Sequence, residues 1–152
     1  MTPNEQAFLD MLAWSEGTDN GRQPTKNKGY DVLVGGGLFT SYADHPRRLI
    51  DLGHGLFSTA AGRYQLLARY FDVYKVQLKL PDFSPRSQDL IALQQVKECG
   101  ALPEIDAGNI EKAIEQCAHI WASLPGNTYG QRQNAVTALL NKYAEAGGSL
   151  VA

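Results

Sequence analysis

Runs of like charge are absent from this 152-residue chain, in which 14 Lys and Arg face 16 Asp and Glu. Nucleic-acid surfaces are built from clustered cations, so this near balance excludes duplex and strand binding as the chain's role. Long apolar runs are missing too. Nothing approaches the roughly 20 apolar residues of a membrane-spanning helix, which argues against membrane insertion. Cysteine is scarce, with only Cys99 and Cys117. A chain of this size buries about 70% of its unfolded surface and needs no disulfide framework, so both are expected as reduced, half-buried core thiols. The histidines, His45, His54 and His119, show no His-x-x-x-His spacing, and no Cys-x-x-Cys pair accompanies them. No metal is therefore expected. Gly35-Gly36-Gly37 lacks the Gly-Lys-Ser/Thr ending of a phosphate loop and reads as a turn, so no cofactor is expected either. The opening Met-Thr-Pro-Asn-Glu has neither a basic nor an apolar leader region. The expectation is a protein made in the cytoplasm that leaves only when something else lets it out.

What the sequence does contain is one domain's worth of alternating element signals, without internal repeats. Thr2 and Glu5 form a Thr-x-x-Glu capping box with Pro3 at the first helical position, and Ala7, Phe8, Met11 and Leu12 follow at helical spacing to a stop at Gly17. From Lys28 to Leu56 the pattern changes: Tyr30, Val32 and Val34 alternate, Gly35 to Gly37 interrupt, and Leu38, Phe39 and Tyr42 resume. This predicts a small antiparallel sheet. Helical periodicity returns after Ser58-Thr59 through Tyr64, Leu67, Phe71, Tyr74 and Leu78 to Pro81. Further helices are predicted from Ser84-Pro85 to Gly100, from about Asn109 through Trp121, and over Val136 to Tyr143. Strands and helices segregated in this way indicate an α+β chain, with a cleft expected between a sheet lobe at roughly 28–57 and a helical part.

Two places carry candidate chemistry. Phe8, Leu12 and Glu16 stand at i, i+4 and i+8 of the first helix, which brings Glu16 to or beside the buried face in the last turn. The negative end of the helix dipole and partial burial both disfavour an ionised carboxyl, and a carboxyl kept protonated is what a general acid requires. The competing reading is a solvated Glu ahead of a glycine cap. The second place is Ala61-Gly62-Arg63-Tyr64-Gln65, read as the start of a helix. There Gln65 offers a donor and an acceptor, and Tyr64, Tyr70 and Tyr74 offer faces for pyranose rings. Core tyrosines and a surface Gln are the competing reading here. Asp44 and His45 precede Pro46 as turn residues, with reach into a cleft as the competing reading, and neither cysteine has an evident activating neighbour.

Several blocks together carry a resemblance. Phe8 to Arg22, which contains Trp14-Ser15-Glu16-Gly17, resembles the N-terminal signature of the lambda-type bacteriophage endolysins. So do Gly29-Tyr30-Asp31-Val32, Asp44-His45-Pro46-Arg47, Gly62-Arg63-Tyr64-Gln65-Leu66-Leu67, Asp82-Phe83-Ser84-Pro85, Ile120 to Gly126 and Tyr129-Gly130-Gln131. They occur in family order from about residue 7 to residue 148.

The resemblance implies a single lysozyme-like domain over 1–152, with a saccharide cleft between a helical lobe and a small sheet lobe. It implies lytic transglycosylation of peptidoglycan: cleavage of the MurNAc-GlcNAc β-1,4 bond without water, leaving 1,6-anhydro-muramic ends. The alternative is a muramidase that hydrolyses the same bond. The family's catalytic glutamate carries over to Glu16. Loops around Gly53 to Thr59, which include His54, and around Ser123 to Gln131 match the two lips of the family's cleft. Gln65, Tyr64, Asp44, His54, Tyr129 and Gln131 are the implied substrate contacts. The chain departs from the family at Tyr70-Phe71, where a tryptophan pair is expected, and in the lip segment Leu52 to Phe57. Glycan strands are the implied partner. A monomer is expected, waiting in the host cytoplasm until a separate holin opens the way to the periplasm.

Overall fold

A computed structural model of the chain describes residues 1–127 and 133–151. Its elements are α1 (Pro3–Glu16), β1 (Ile50–Gly53), β2 (Leu56–Ser58), α2 (Ala68–Gln77), α3 (Pro85–Glu98), α4 (Leu102–Ala107), α5 (Ile110–Cys117) and α6 (Val136–Glu145). The composition is α+β, as the segregated patterns predict. The chain divides into two compact units, one of Met1–Glu16 with Ala92–Ala152 and one of Gly17–Ile91. No helix among the described residues is long and apolar enough to cross a membrane.

In the first unit α1 starts at the predicted capping box. The Thr2 hydroxyl accepts from the Glu5 amide at 3.1 Å, and the Glu5 carboxylate accepts from the Thr2 amide at 3.3 Å. Each bond gives a partner to an amide that lacks one within the helix. Ala7, Phe8, Leu9, Met11, Leu12 and Ala13 are all buried, so α1 is apolar on most of its circumference rather than along one stripe. A helix of that kind belongs inside a core. Here α4 and α6 pack against it. Burial of Phe8, Leu9, Met11 and Leu12 contributes about 1.5–3 kcal/mol each. Ile105, Ile110, Ile114, Trp121, Leu124, Leu139 and Tyr143 complete the interior of this unit.

Sequence periodicity misses α4 altogether. Its six residues are too few for a helical repeat, and its local signals are Pro103 in the first turn and Gly108 in left-handed conformation at its end. The helix predicted from Asn109 through Trp121 ends early, at Cys117.

The second unit corrects two expectations. Among the described residues, regular strands are found only at β1 and β2, paired as Ile50↔Ser58, Asp51↔Phe57 and Gly53↔Leu56. Their connection, His54-Gly55, has positive φ at both residues, as a two-residue type I′ hairpin turn requires. Around the predicted strands at 30–42 the structure has isolated bridges, Val32↔Leu38 and Leu33↔Ala61. The backbone there is satisfied locally or by side chains instead of by a ladder. Leu33 N donates to Gly37 O at 2.7 Å, and Gln88 Nε2 donates to Tyr30 O at 3.1 Å.

The helix expected from Ser58-Thr59 begins only at Ala68, whose amide donates to Thr59 Oγ1 at 3.0 Å. Gly62 and Gln65 both have positive φ, which a right-handed helix excludes, and Ala61 bridges Leu66 across a tight turn. Leu33, Phe39, Leu66, Phe71, Leu80, Phe83 and Ile91 form the apolar core of this unit.

Candidate active site

Glu16 is the last residue of α1, and Gly17 at φ +79° terminates the helix behind it. The side chain is half-buried. Ser123 donates its hydroxyl to Glu16 Oε2 at 2.6 Å, the short distance of a charge-assisted bond. Burial raises the carboxyl above the ordinary carboxylate range, and the Ser123 bond opposes that rise. Burial is the stronger influence, so the protonated form persists to higher pH than in water. Ser123 Oγ also lies 2.8 Å from Ser15 Oγ, and Asn134 Nδ2 donates to Ser15 Oγ at 3.0 Å and to Ser15 O at 3.2 Å. A short polar network in the first unit thus ends on one carboxyl. Sequence reading singles out Glu16 and passes over Ser15, Ser123 and Asn134, although Ser15 stands beside Glu16 in the Trp-Ser-Glu-Gly block.

The second unit contains the Gly62-Arg63-Tyr64-Gln65 block, and its side chains do not form the expected open groove. Tyr64 is 5% exposed and donates to Asp89 Oδ1 at 2.6 Å. Tyr30 donates to the same carboxylate at 2.9 Å, and burial followed by the Asp89 charge pushes the Tyr30 hydroxyl up to about 12. Arg63, 4% exposed, lies 5.3 Å from the Tyr30 ring centroid and 5.6 Å from that of Tyr64. Its guanidinium donates to Lys28 O, to Tyr64 Oη and to Asp19, the last at 3.2 Å. Tyr64 is therefore an interior residue, its ring and hydroxyl committed to this cluster. Gly62 is required at its position, because a Cβ there would lie 2.4 Å from Gln88 Oε1 and 2.9 Å from Phe83.

Other predicted contacts separate by role. Gln65 is half-buried, and its amide donates to Gly62 O at 3.0 Å and Val32 O at 3.3 Å. Asp44 is exposed and accepts from Arg47 Nε at 2.9 Å while capping the His45 amide. The Arg47 bond, ahead of the other influences, holds its carboxyl below the usual range. His54 stands at the exposed tip of the β1–β2 hairpin. Tyr129 and Gln131 lie outside the described residues.

His45, read as a turn residue within reach of a cleft, is instead a core residue, 2% exposed. Its Nδ1 accepts from the Arg47 amide at 2.9 Å, which leaves the proton on Nε2 to be donated to Leu66 O at 2.8 Å. Burial pushes its pKa down. Cys99 and Cys117 are free thiols, Cys117 fully buried. A neighbour for Cys99 escapes the sequence reading: His119 Nε2 lies 3.9 Å from Cys99 Sγ. Among the described residues no group of three or more His, Cys, Asp or Glu side chains is placed to hold a metal ion.

The fold, with a half-buried glutamate closing a buried helix, is that of the lysozyme-like proteins. Within that class the chain belongs to the endolysin family, whose model matches residues 6–150. It is 63% identical over 145 residues to the endolysin of Escherichia phage lambda, a match covering 95% of this chain and 92% of that protein. It is 50% identical over 155 aligned positions to the endolysin of Escherichia phage P2, covering 95% and 93%. Its backbone is similar to bacteriophage lambda lysozyme complexed with a chitohexasaccharide, with a TM-score of 0.98 at 61% identity over 99% of this chain and 98% of that one. A second solved lysozyme from bacteriophage lambda gives a TM-score of 0.94 at 60% identity, with the same coverage.

Proposed function

We propose that this endolysin is a lytic transglycosylase that cleaves the MurNAc-GlcNAc β-1,4 bond of peptidoglycan, with Glu16 as its acid and base. The observation that carries the reading is Glu16 itself, a half-buried carboxyl raised by burial inside an unaltered Trp14-Ser15-Glu16-Gly17 block. Protonated Glu16 gives its proton to the glycosidic oxygen as the bond breaks through an oxocarbenium-like state. The muramoyl C6 hydroxyl then closes on C1. Glu16, now ionised, takes the hydroxyl proton and returns to its starting form, leaving a 1,6-anhydro end.

A glycosidase of the ordinary kind needs a second carboxylate to activate water or attack the sugar. The three aspartates nearest to that role in the sequence are engaged elsewhere. Asp19 pairs with Arg63, Asp44 pairs with Arg47, and buried Asp31 accepts from the Thr25 hydroxyl and from Lys26 N at 3.0 Å. This favours the transglycosylase over the muramidase. The glycan substrate is supported by the chitohexasaccharide complex of the lambda lysozyme. Gln65 and His54, with Tyr129 and Gln131, belong to the proposal as saccharide contacts. So do action as a monomer and release from the host cytoplasm through a holin, which rest on family membership.

Muropeptides released from purified walls separate the two reactions by mass spectrometry. Anhydro-muramic ends are expected, and a digest containing only reducing ends overturns the transglycosylase reading in favour of the muramidase. Folded Glu16→Gln is expected to leave wall suspensions turbid. Clearing at the parental rate would remove Glu16 from the chemistry.

A further inference from the structure

The polar network behind Glu16 has a direction, and hydrogen-bond logic alone determines it. Ser15 O is a carbonyl and only accepts, so the Asn134 amide facing it at 3.2 Å presents its NH2. The same NH2 lies 3.0 Å from Ser15 Oγ, which must therefore accept. When Glu16 is ionised its carboxylate only accepts, so the single proton of Ser123 goes to Glu16 Oε2 at 2.6 Å and the single proton of Ser15 goes to Ser123 Oγ at 2.8 Å. Every hydroxyl in the series points toward the carboxyl. Asn134 is itself held by its backbone, whose amide donates to Ser123 O at 2.8 Å.

We propose that Asn134, Ser15 and Ser123 form a one-way relay of donors that positions Glu16 and polarises toward its ionised form. The relay rests on the reading of Glu16 as the acid and base, and it addresses the second half of that cycle. Burial alone keeps the proton on Glu16, which suits proton donation and leaves the ionised carboxylate poorly solvated once the proton has gone. Successive donors strengthen one another, so the bond that reaches Oε2 is stronger than that of an isolated serine. Ser15, Ser123 and Asn134 are positioning residues that act through the carboxyl.

Charged groups do not supply this effect. Burial and the Ser123 bond are the two influences that move Glu16. On the helices packed against α1, Lys142 of α6 lies 5.5 Å from the Trp14 ring and pairs with Glu145, and Glu104 of α4 pairs with Lys112. Asp106 of α4 accepts from Thr2, at the far end of α1. On α1 itself Asp10 accepts from Gln6, and beyond the helix Asp19 pairs with Arg63.

The test is the carbon-13 NMR titration of the Glu16 carboxyl in the full chain, read beside the pH profile of wall clearing. Ser123→Ala is expected to raise the titration midpoint by about one pH unit, because a bond to the charged form is lost. Ser15→Ala and Asn134→Ala, which leave the Ser123 bond in place, are expected to raise it by about half a unit each. Ser15→Ala made in the Ser123→Ala background adds nothing further. Asn134→Asp replaces the donor by an acceptor, turns the Ser15 proton away from Ser123 and raises the midpoint more than Asn134→Ala does. Ser123→Thr keeps the hydroxyl and restores the parental midpoint, which shows that the bond matters rather than the space. Unchanged midpoints in folded Ser15→Ala and Asn134→Ala, or additive shifts in the double variant, overturn the relay. The titration needs no turnover, so an active Glu16→Gln would overturn the catalytic reading and leave the relay to be judged by its own midpoints.

Discussion

Tyr64 donates its hydroxyl to Asp89 at 2.6 Å, with the Arg63 guanidinium 5.6 Å from its ring centroid. A tyrosine that the family resemblance implies as a substrate contact is thereby an internal brace between the turn at Gly62 and helix α3. Removing its hydroxyl leaves Asp89 with Tyr30 and strips one partner from buried Arg63. Tyr64→Phe is expected to lose about 1–3 kcal/mol of stability in denaturant unfolding while the KM for wall substrate stays at its parental value. A raised KM without loss of stability would return Tyr64 to the saccharide site.

Gly62 makes a sharper case. At φ +85° any L side chain is strained by roughly 1–2 kcal/mol, and its Cβ would also meet the Gln88 amide that holds Arg63 N at 2.8 Å. Gly62→Ala is expected to lower the melting temperature by more than Tyr64→Phe does. A differential scanning experiment on both variants checks the order.

Stability should also respond to pH through Glu16. A carboxyl raised in the folded state binds more protons folded than unfolded between its two pKa values, so stability falls as pH rises through that window. The lower edge is the ordinary carboxylate value of 4.5, and the upper edge is the raised folded value. Glu16→Gln removes the penalty. The variant should match the parent near pH 4 and exceed it in melting temperature at neutral pH, and equal melting temperatures across the range would contradict the direction of the shift.

His45 acts with the opposite edge. Its folded pKa lies below the ordinary value of 6.5, so the unfolded chain takes up a proton first as pH falls, and stability declines below about pH 6.5. Nitrogen-15 NMR at pH 7 should find a neutral ring protonated on Nε2. An imidazolium or an Nδ1-protonated ring would contradict the Arg47 and Leu66 bonds.

Legibility followed the sequence range of the interactions. The start of α1 is readable because Thr2, Pro3 and Glu5 settle it within four residues, and its end because Gly17 follows at once. Glu16 is readable as a carboxyl on a buried line of the same helix. The turn at 61–66 is not, because the second of its two left-handed residues is Gln65, a type that gives no such cue, and the apolar spacing around it mimics a helix. The alternation at 30–42 places the antiparallel sheet too early in the chain for a related reason. Alternation at Tyr30, Val32 and Val34 accompanies no regular ladder: Tyr30 O accepts from Gln88, 58 residues away, and Val32 and Leu33 make isolated bridges. Ser123 and Asn134 reach Glu16 and Ser15 across 107 and 119 residues, and nothing local to either announces that meeting.

The burial of α1 on most of its circumference reaches beyond packing. The middle of a helix enclosed in this way, from Ala7 to Ala13, is expected to exchange its amides with solvent only when the whole unit opens. Glu16 is the final residue of that rod. The carboxyl proposed as the proton donor is thus tied to the unfolding of this unit rather than to a loop's local fluctuations, and its aim is expected to survive up to the temperature at which the unit itself melts.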